Sequence, residues 1–300
     1  MSKPCLLLVD DEARILRSLA LLFRTQYEVL TTTDGVEALR WVRERIVHVV
    51  VSDQRMPGIS GVDLLRQIRD HSPRTMRILL TGFADLEAVE ASVNEGEIFR
   101  FLEKPWNAAL LMQSVAQAAA IACAEFAETG ARTVATVASA RVLVLDEDPA
   151  TAALMASILP SETPVTACTN VESALAHLGE ADYGVIVAEI RHGSDDVIGA
   201  LKLLKQASPG TLAIACSSLR DGRILIDLIN QGQVFRFLPK PLGRELTRRA
   251  VMAGLERHAL LRREPIRVRR HAVEAPREIS LPGRVMDYFR RIRDQARQRA

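Results

Sequence analysis

The feature that most constrains this chain is a repeat. The segment LLLVDDEAR, with Asp10-Asp11, returns as VLVLDEDPA. VHVVVSDQR, with Asp53, returns as YGVIVAEIR, and IFRFLEKP, with Lys104, returns as VFRFLPKP. Asp10 and Asp146, Asp53 and Glu189, Thr81 and Ser217, and Lys104 and Lys240 are all separated by the same 136 residues. Four landmarks in one register mean two copies of one folding unit. A length of 300 residues suits two domains.

Within the first copy, short apolar runs alternate with helical periodicity. Cys5–Val9 reads as a strand ending in Asp10-Asp11. Arg14–Phe23 has Ile15, Leu16, Leu19, Leu22 and Phe23 at helical spacing. Tyr27–Leu30 is a second strand, and Asp34-Gly35 opens a second helix. Val47–Val51, broken only by His48, runs into Ser52-Asp53 as a strand buried on both faces. A helix over Val62–Ile68, a strand over Arg77–Leu80, a helix over Leu86–Val93, a strand over Phe99–Leu102 and a helix from about Asn107 complete the set. Strands alternating with helices predict an α/β fold with a doubly wound parallel sheet of five strands.

Asp10, Asp11, Asp53, Thr81 and Lys104 all fall where strands end. In open α/β sheets, that edge carries the chemistry. Three carboxylates there repel one another unless a cation intervenes. Hard oxygen ligands suit Mg²⁺, which keeps waters and binds phosphate. A lysine and a hydroxyl beside them suit the oxygens of a phosphoryl group. A carboxylate in that position can itself be the nucleophile and become an aspartyl phosphate. The bland alternative is an acidic surface cluster neutralised by Lys104.

On these residues the first copy resembles the receiver domain of bacterial two-component response regulators. The resemblance rests on Asp10-Asp11, on Asp53, Met56, Pro57 and Gly61 as D-x-x-M-P-x-x-x-G, on Thr81, and on Lys104-Pro105. It implies two flavodoxin-like (βα)5 domains with five-stranded parallel sheets. Their expected bounds are 1–126 and 141–262, joined by a linker over 127–140 and followed by an Arg-rich tail over 263–300. It implies that Asp53 takes a phosphoryl group from a histidine kinase. Mg²⁺ is then bound by Asp11 and Asp53 with the Arg55 carbonyl, and by Asp10 mostly through water. Thr81 and Lys104 hold the phosphoryl oxygens, Phe101 is the switch aromatic, and the Lys104-Pro105 bond is expected to be cis.

The second copy departs from this pattern. Asp146, Ser217 and Lys240 persist, but Glu147 replaces the second acid, Glu189 stands at the phosphoacceptor position and Gly193 replaces the proline. A glutamate reaches one carbon further. It can contact Lys240 directly and misplaces an acyl phosphate for in-line transfer. A pseudo-receiver held in one state by a Glu189–Lys240 pair is one expectation; a drifted site without conformational meaning is the other. Asp146-Glu147-Asp148 also resembles the D-x-D of aspartyl-phosphate hydrolases, an enzymatic reading that the shared register disfavours. Arg55 and Phe83 would flank an attacking water, and their bulk predicts slow autodephosphorylation.

Charge is uneven. The whole chain is +2, while Arg262–Ala300 holds twelve arginines and five acidic residues, so the remainder is net acidic. Val285, Phe289 and Ile292, with Tyr288 alongside, form an amphipathic stripe in that tail. Such a tail is solvated, or it meets nucleic acid, a membrane surface or an acidic partner. The uncharged span Pro105–Ala124 reads as an Ala-rich soluble helix rather than a membrane span. Ile226, where the first copy has Glu90, points to docking of the fourth- and fifth-helix faces, between copies or as a homodimer. Cys5, Cys123, Cys168 and Cys216 lack metal or redox spacing and read as buried thiols in a reducing compartment. The expected protein is a cytoplasmic regulator that signals through a downstream protein target, with no enzymatic or DNA-binding output domain evident. A phosphate sink or relay intermediate is the alternative.

Overall fold

The computed structural model describes residues 3–82, 97–127, 140–190, 199, 201–205, 208–218, 226, 228–230 and 234–263. The helix expected over Leu86–Val93, with Glu90, lies outside the described residues, as do Phe83, Gly193 and the tail stripe of Val285, Tyr288, Phe289 and Ile292. Most of the linker lies outside them too.

The chain forms two compact units. The first comprises Met1–Ala131 and Gly222–Asn230, and the second Arg132–Asp221 and Gln231–Ala300. Gly222–Asn230, from the second repeat, belongs to the first unit. Within the first unit, the Asn230 carboxamide meets the backbone of Phe101.

The first unit contains β1 (Cys5–Val9), α1 (Ala13–Phe23), β2 (Glu28–Thr32), α2 (Gly35–Glu44), β3 (Val49–Asp53), α3 (Gly61–His71), β4 (Met76–Thr81), β5 (Arg100–Glu103) and α4 (Ala108–Ala127). Its five strands are all parallel, in the order β2-β1-β3-β4-β5. This is the flavodoxin-like arrangement, with the strand order reversing beside β1. Every residue of β1, β3 and β4 is buried, as expected for central strands covered on both faces. His48 does not break β3's entry into the sheet. It precedes β3, and its Nδ1 accepts the Cys5 N–H at 3.0 Å, while burial lowers its pKa.

Local sequence sets the helix starts. Asp34 caps α2 by accepting the Val36 N–H at 2.8 Å. Ser60 caps α3 by accepting the Asp63 N–H at 3.1 Å. Among the described residues, α4 is the one helix long and apolar enough to cross a membrane. Its Leu111, Val115, Ala118 and Ala122 are buried against Leu6, Val51 and Ile78, so it is a core helix of the first sheet.

The second unit contains β6 (Arg141–Leu145), α5 (Pro149–Ile158), β7 (Val165–Cys168), α6 (Val171–Glu180), β8 (Tyr183–Glu189), β9 (Leu212–Ser217), β10 (Val234–Pro239) and α7 (Arg244–Arg263). Its parallel sheet runs β7-β6-β8-β9-β10, the same order as the first. The repeat extends to detail. Arg100 lies over the Phe99 ring at 4.2 Å and Arg236 over the Phe235 ring at 4.0 Å. Lys104-Pro105 and Lys240-Pro241 are both cis. All four cysteines are free; Cys5, Cys168 and Cys216 are buried, and Cys123 is only half-buried. Burial pushes the Cys5 thiol up to about 11 and that of Cys216 to about 12, which keeps both protonated and unreactive.

Candidate functional site

Four neighbouring strands deliver the candidate residues to one edge of the first sheet. Asp10 follows β1, Asp53 ends β3, Thr81 ends β4 and Lys104 follows β5. The Lys104 ammonium bridges two carboxylates, 2.7 Å from Asp53 Oδ1 and 2.9 Å from Asp10 Oδ2. Burial works against that charge. The hydrogen bonds to Asp53 and Asp10 outweigh it, and the Lys104 pKa is raised.

Asp10 is buried and Asp11 exposed. The Glu12 N–H donates to Asp10 Oδ1 at 2.9 Å. Asp53 is also buried, and its Oδ2 accepts the Arg55 N–H at 3.2 Å. One carboxylate oxygen from each of Asp10, Asp11 and Asp53 lies within 4.8 Å of the others. Three hard oxygens so close, one of them solvent-facing, fit a small divalent cation that keeps part of its water shell.

The loop after Asp53 is shaped by two glycines and a glutamine. Gly58 has φ +83°, in the left-handed region. A Cβ at Gly61 would lie 2.1 Å from the Asp53 carbonyl oxygen, so only glycine lets α3 start this close to β3. The Gln54 carbonyl accepts the Gly61 N–H at 3.0 Å, and its side-chain Oε1 accepts from Val62 N–H at 3.2 Å. Thr81 is buried, with its hydroxyl 3.3 Å from the Gly82 carbonyl. Phe101 is 1% exposed and points into the fold.

The second unit rebuilds half of this arrangement. Lys240 Nζ lies 2.8 Å from Asp146 Oδ2 and 2.6 Å from Glu189 Oε1. Asp146 Oδ1 accepts the Asp148 N–H at 2.8 Å, and Thr151 donates to Asp146 Oδ2 at 2.7 Å. Burial opposes the Asp146 charge, but Lys240, Thr151 and the Asp148 N–H outweigh it and lower its pKa. The Lys240 pKa is raised, again against burial, by Asp146 and Glu189. Ser217 turns its hydroxyl to the Ile190 carbonyl at 2.7 Å. Glu147 is exposed. Among the described residues, no group of three acids in the second unit matches the close cluster of the first.

Sequence reasoning missed two polar residues. Thr151 saturates Asp146; its only sequence signal is a hydroxyl where the first copy has Ile15. Asn230 bonds the Phe101 backbone, and nothing in its spacing indicated that.

The structure thus places an acidic cluster with a bridging lysine at the strand-end edge of a flavodoxin-like sheet. The response regulator receiver domain family matches residues 6–116. That N-terminal part of the chain is a response regulator receiver domain. Over 112 residues the chain is 38% identical to the hydrogenase transcriptional regulatory protein HoxA of Cupriavidus necator, covering 37% of this chain and 23% of HoxA. Over 246 residues it is 26% identical to the C4-dicarboxylate transport transcriptional regulatory protein DctD of Rhizobium meliloti, covering 80% of this chain and 50% of DctD. The match thus spans 23% to 50% of these relatives' length. A solved receiver domain of an HD domain-containing protein from Pseudomonas fluorescens is 36% identical, covering 42% of this chain and 93% of that one, with TM-score 0.41.

Proposed function

We propose that the first unit is a phosphorylation-controlled switch whose phosphoacceptor is Asp53, and that the second unit is a pseudo-receiver that accepts no phosphoryl group. The observation that carries this reading is the Lys104 ammonium held between Asp10 and Asp53, beside an Asp11 oxygen in the same cluster. In the transfer, an Asp53 oxygen bonds to phosphorus as the P–N bond of a phosphohistidine breaks. The electron pair leaves with the imidazole, which solvent protonates. Lys104 and Thr81 then meet the phosphoryl oxygens. Asp10, Asp11 and Asp53, with the Arg55 carbonyl, would hold Mg²⁺, which supplies charge neutralisation at the transferring group. The modification adds roughly −1.5 to −2 charges, enough to bias a two-state element.

The donor is a histidine kinase, the partner that receiver domains have in general. Signalling by contact with a protein target in the cytoplasm completes the proposal. HoxA and DctD are named as transcriptional regulatory proteins, which makes a transcriptional complex one candidate for that target. Fast onward transfer or hydrolysis would instead make the protein a phosphate sink, and the lifetime of phospho-Asp53 separates the two. Binding of nucleic acid or a membrane surface through the Arg-rich tail is tested by a salt-dependent gel shift and by vesicle sedimentation, each with and without residues 264–300. The primary test is incubation with acetyl phosphate and Mg²⁺. One phosphoryl mass should appear, and it should vanish with a chelator and in Asp53→Asn. Undiminished labelling of Asp53→Asn would refute the assignment.

A further inference from the structure

Helix α3 begins at Gly61, and its first backbone N–H groups have no partner inside the helix. One residue supplies two of the missing acceptors. Gln54 accepts the Gly61 N–H at 3.0 Å with its main-chain carbonyl and the Val62 N–H at 3.2 Å with its side-chain Oε1. Ser60 takes the next N–H, from Asp63, at 3.1 Å. Gln54 also donates its own N–H to the Leu80 carbonyl of β4 at 2.9 Å. This buried residue therefore ties the end of β3 to β4 and to the start of α3. It also closes the loop over 55–60 from both sides. That loop opens with Arg55, whose N–H donates to Asp53 Oδ2 at 3.2 Å.

The second unit shows that the strand-end fold does not need the side-chain arm. Ile190 stands 136 residues after Gln54. Its N–H donates to the Cys216 carbonyl at 2.7 Å, the counterpart of the bond from Gln54 to Leu80. Its side chain holds no acceptor. Among the described residues, the carboxamide is thus present where three acids cluster and missing where they do not.

We propose that Gln54 is a positioning residue of the cation site, whose carboxamide fixes the loop over 55–60 on α3 so that the Arg55 carbonyl is presented to the ion. The inference rests on the Asp53 and Mg²⁺ assignments above. Gln54 itself touches no ion. Without its side-chain acceptor, the Val62 N–H is left unpaired in a buried place, and the loop keeps only the main-chain bond at Gly61. Gly58, with φ +83°, gives that loop a turn free to reopen. The ion must then order the carbonyl as it binds, and the cost falls on ion affinity. The rate of transfer in the loaded site is not affected, because the donor set is the same once filled.

The experiment uses the full chain and Mn²⁺, counted by its EPR signal and displaced by Mg²⁺, with no phosphodonor present. Gln54→Leu, of similar volume but without an acceptor, should weaken Mn²⁺ binding about tenfold, the scale of losing an outer-shell partner. Gln54→Asn, too short to reach Val62, should do the same. Gln54→Glu keeps both reach and acceptor and should bind at least as tightly as the wild type. With acetyl phosphate, the half-saturating Mg²⁺ concentration of Gln54→Leu should rise by the same factor, with labelling near the wild-type rate at saturating Mg²⁺. Urea unfolding without metal reads the stability loss separately. A loss of stability with unchanged Mn²⁺ affinity, or a Gln54→Glu variant as weak as Gln54→Leu, would overturn the positioning role alone. If Gln54→Leu does not fold, the comparison of Gln54→Asn with Gln54→Glu decides. Mn²⁺ that binds the wild type no tighter than an Asp11→Asn/Asp53→Asn double variant would strike the cation-site reading itself.

Discussion

The two units share a strand order, a cis lysyl-proline bond and a lysine bridging two carboxylates, yet their acidic clusters are built differently. In the first, Lys104 joins Asp10 and Asp53, and Asp11 adds a third oxygen, so the cluster has the donor set for a cation. In the second, the longer Glu189 reaches Lys240 at 2.6 Å, and Thr151 and Lys240 both occupy Asp146 Oδ2. On the proposed function, one added methylene and one hydroxyl separate a phosphoaccepting cluster from one that accepts no phosphoryl group.

Four substitutions break or sharpen that contrast. Lys240→Ala leaves the Asp146 side chain buried without its cation. It should destabilise the second unit by about 3 kcal/mol, the low end for breaking a buried pair, and Mg²⁺ should not restore it. Denaturant unfolding with and without Mg²⁺ checks both points. Lys104→Ala should cut phosphorylation by acetyl phosphate about 100-fold, the scale of removing one transition-state charge partner. Its stability loss should be partly restored by Mg²⁺, because the three acids can hold the ion instead. Equal Mg²⁺ rescue of both lysine variants would erase the contrast.

Lys205 supplies a pH test confined to the second unit. It is fully buried, donating to the Thr211 and Pro209 carbonyls at 2.7 and 3.3 Å. Burial brings its pKa down to about 7. Between that value and the ordinary lysine range the unfolded chain holds the proton and the folded chain does not. Stability should therefore rise with pH from about 7 to 10, by at most about 1.4 kcal/mol per unit from this group. Below pH 7 the penalty of the buried charge is fully present. Lys205→Met should remove this component from the slope, while the first unit's transition keeps its own. The smallest effect is kinetic. Arg55→Asn should shorten the lifetime of phospho-Asp53 a few-fold if its side chain shields the acyl phosphate; an unchanged decay rate excludes that role.

The first site was legible because its residues are anchored to strand ends, and strand ends are where apolar runs stop. Asp10, Asp53, Thr81 and Lys104 need only the alternation of strands and helices to meet. Gly61 was legible as a motif letter, but its reason, a carbonyl oxygen 2.1 Å from any Cβ, is visible only in three dimensions. The Glu189–Lys240 contact followed from side-chain length. Thr151 and Asn230 were not legible. A polar residue on a helix has many available partners, and spacing does not say which one packing brings near. Asn230 shows this most plainly. The repeat says nothing of its partner, yet its carboxamide makes two hydrogen bonds to the Phe101 backbone.

The most direct test of the central claim labels both sites in one molecule. The full chain is treated with acetyl phosphate and Mg²⁺, borohydride-trapped, digested and mapped by mass spectrometry. The account predicts modification at Asp53, dependent on Mg²⁺, and none at Glu189. Label on Glu189, or a trapped chain whose label lies away from Asp53, would contradict it.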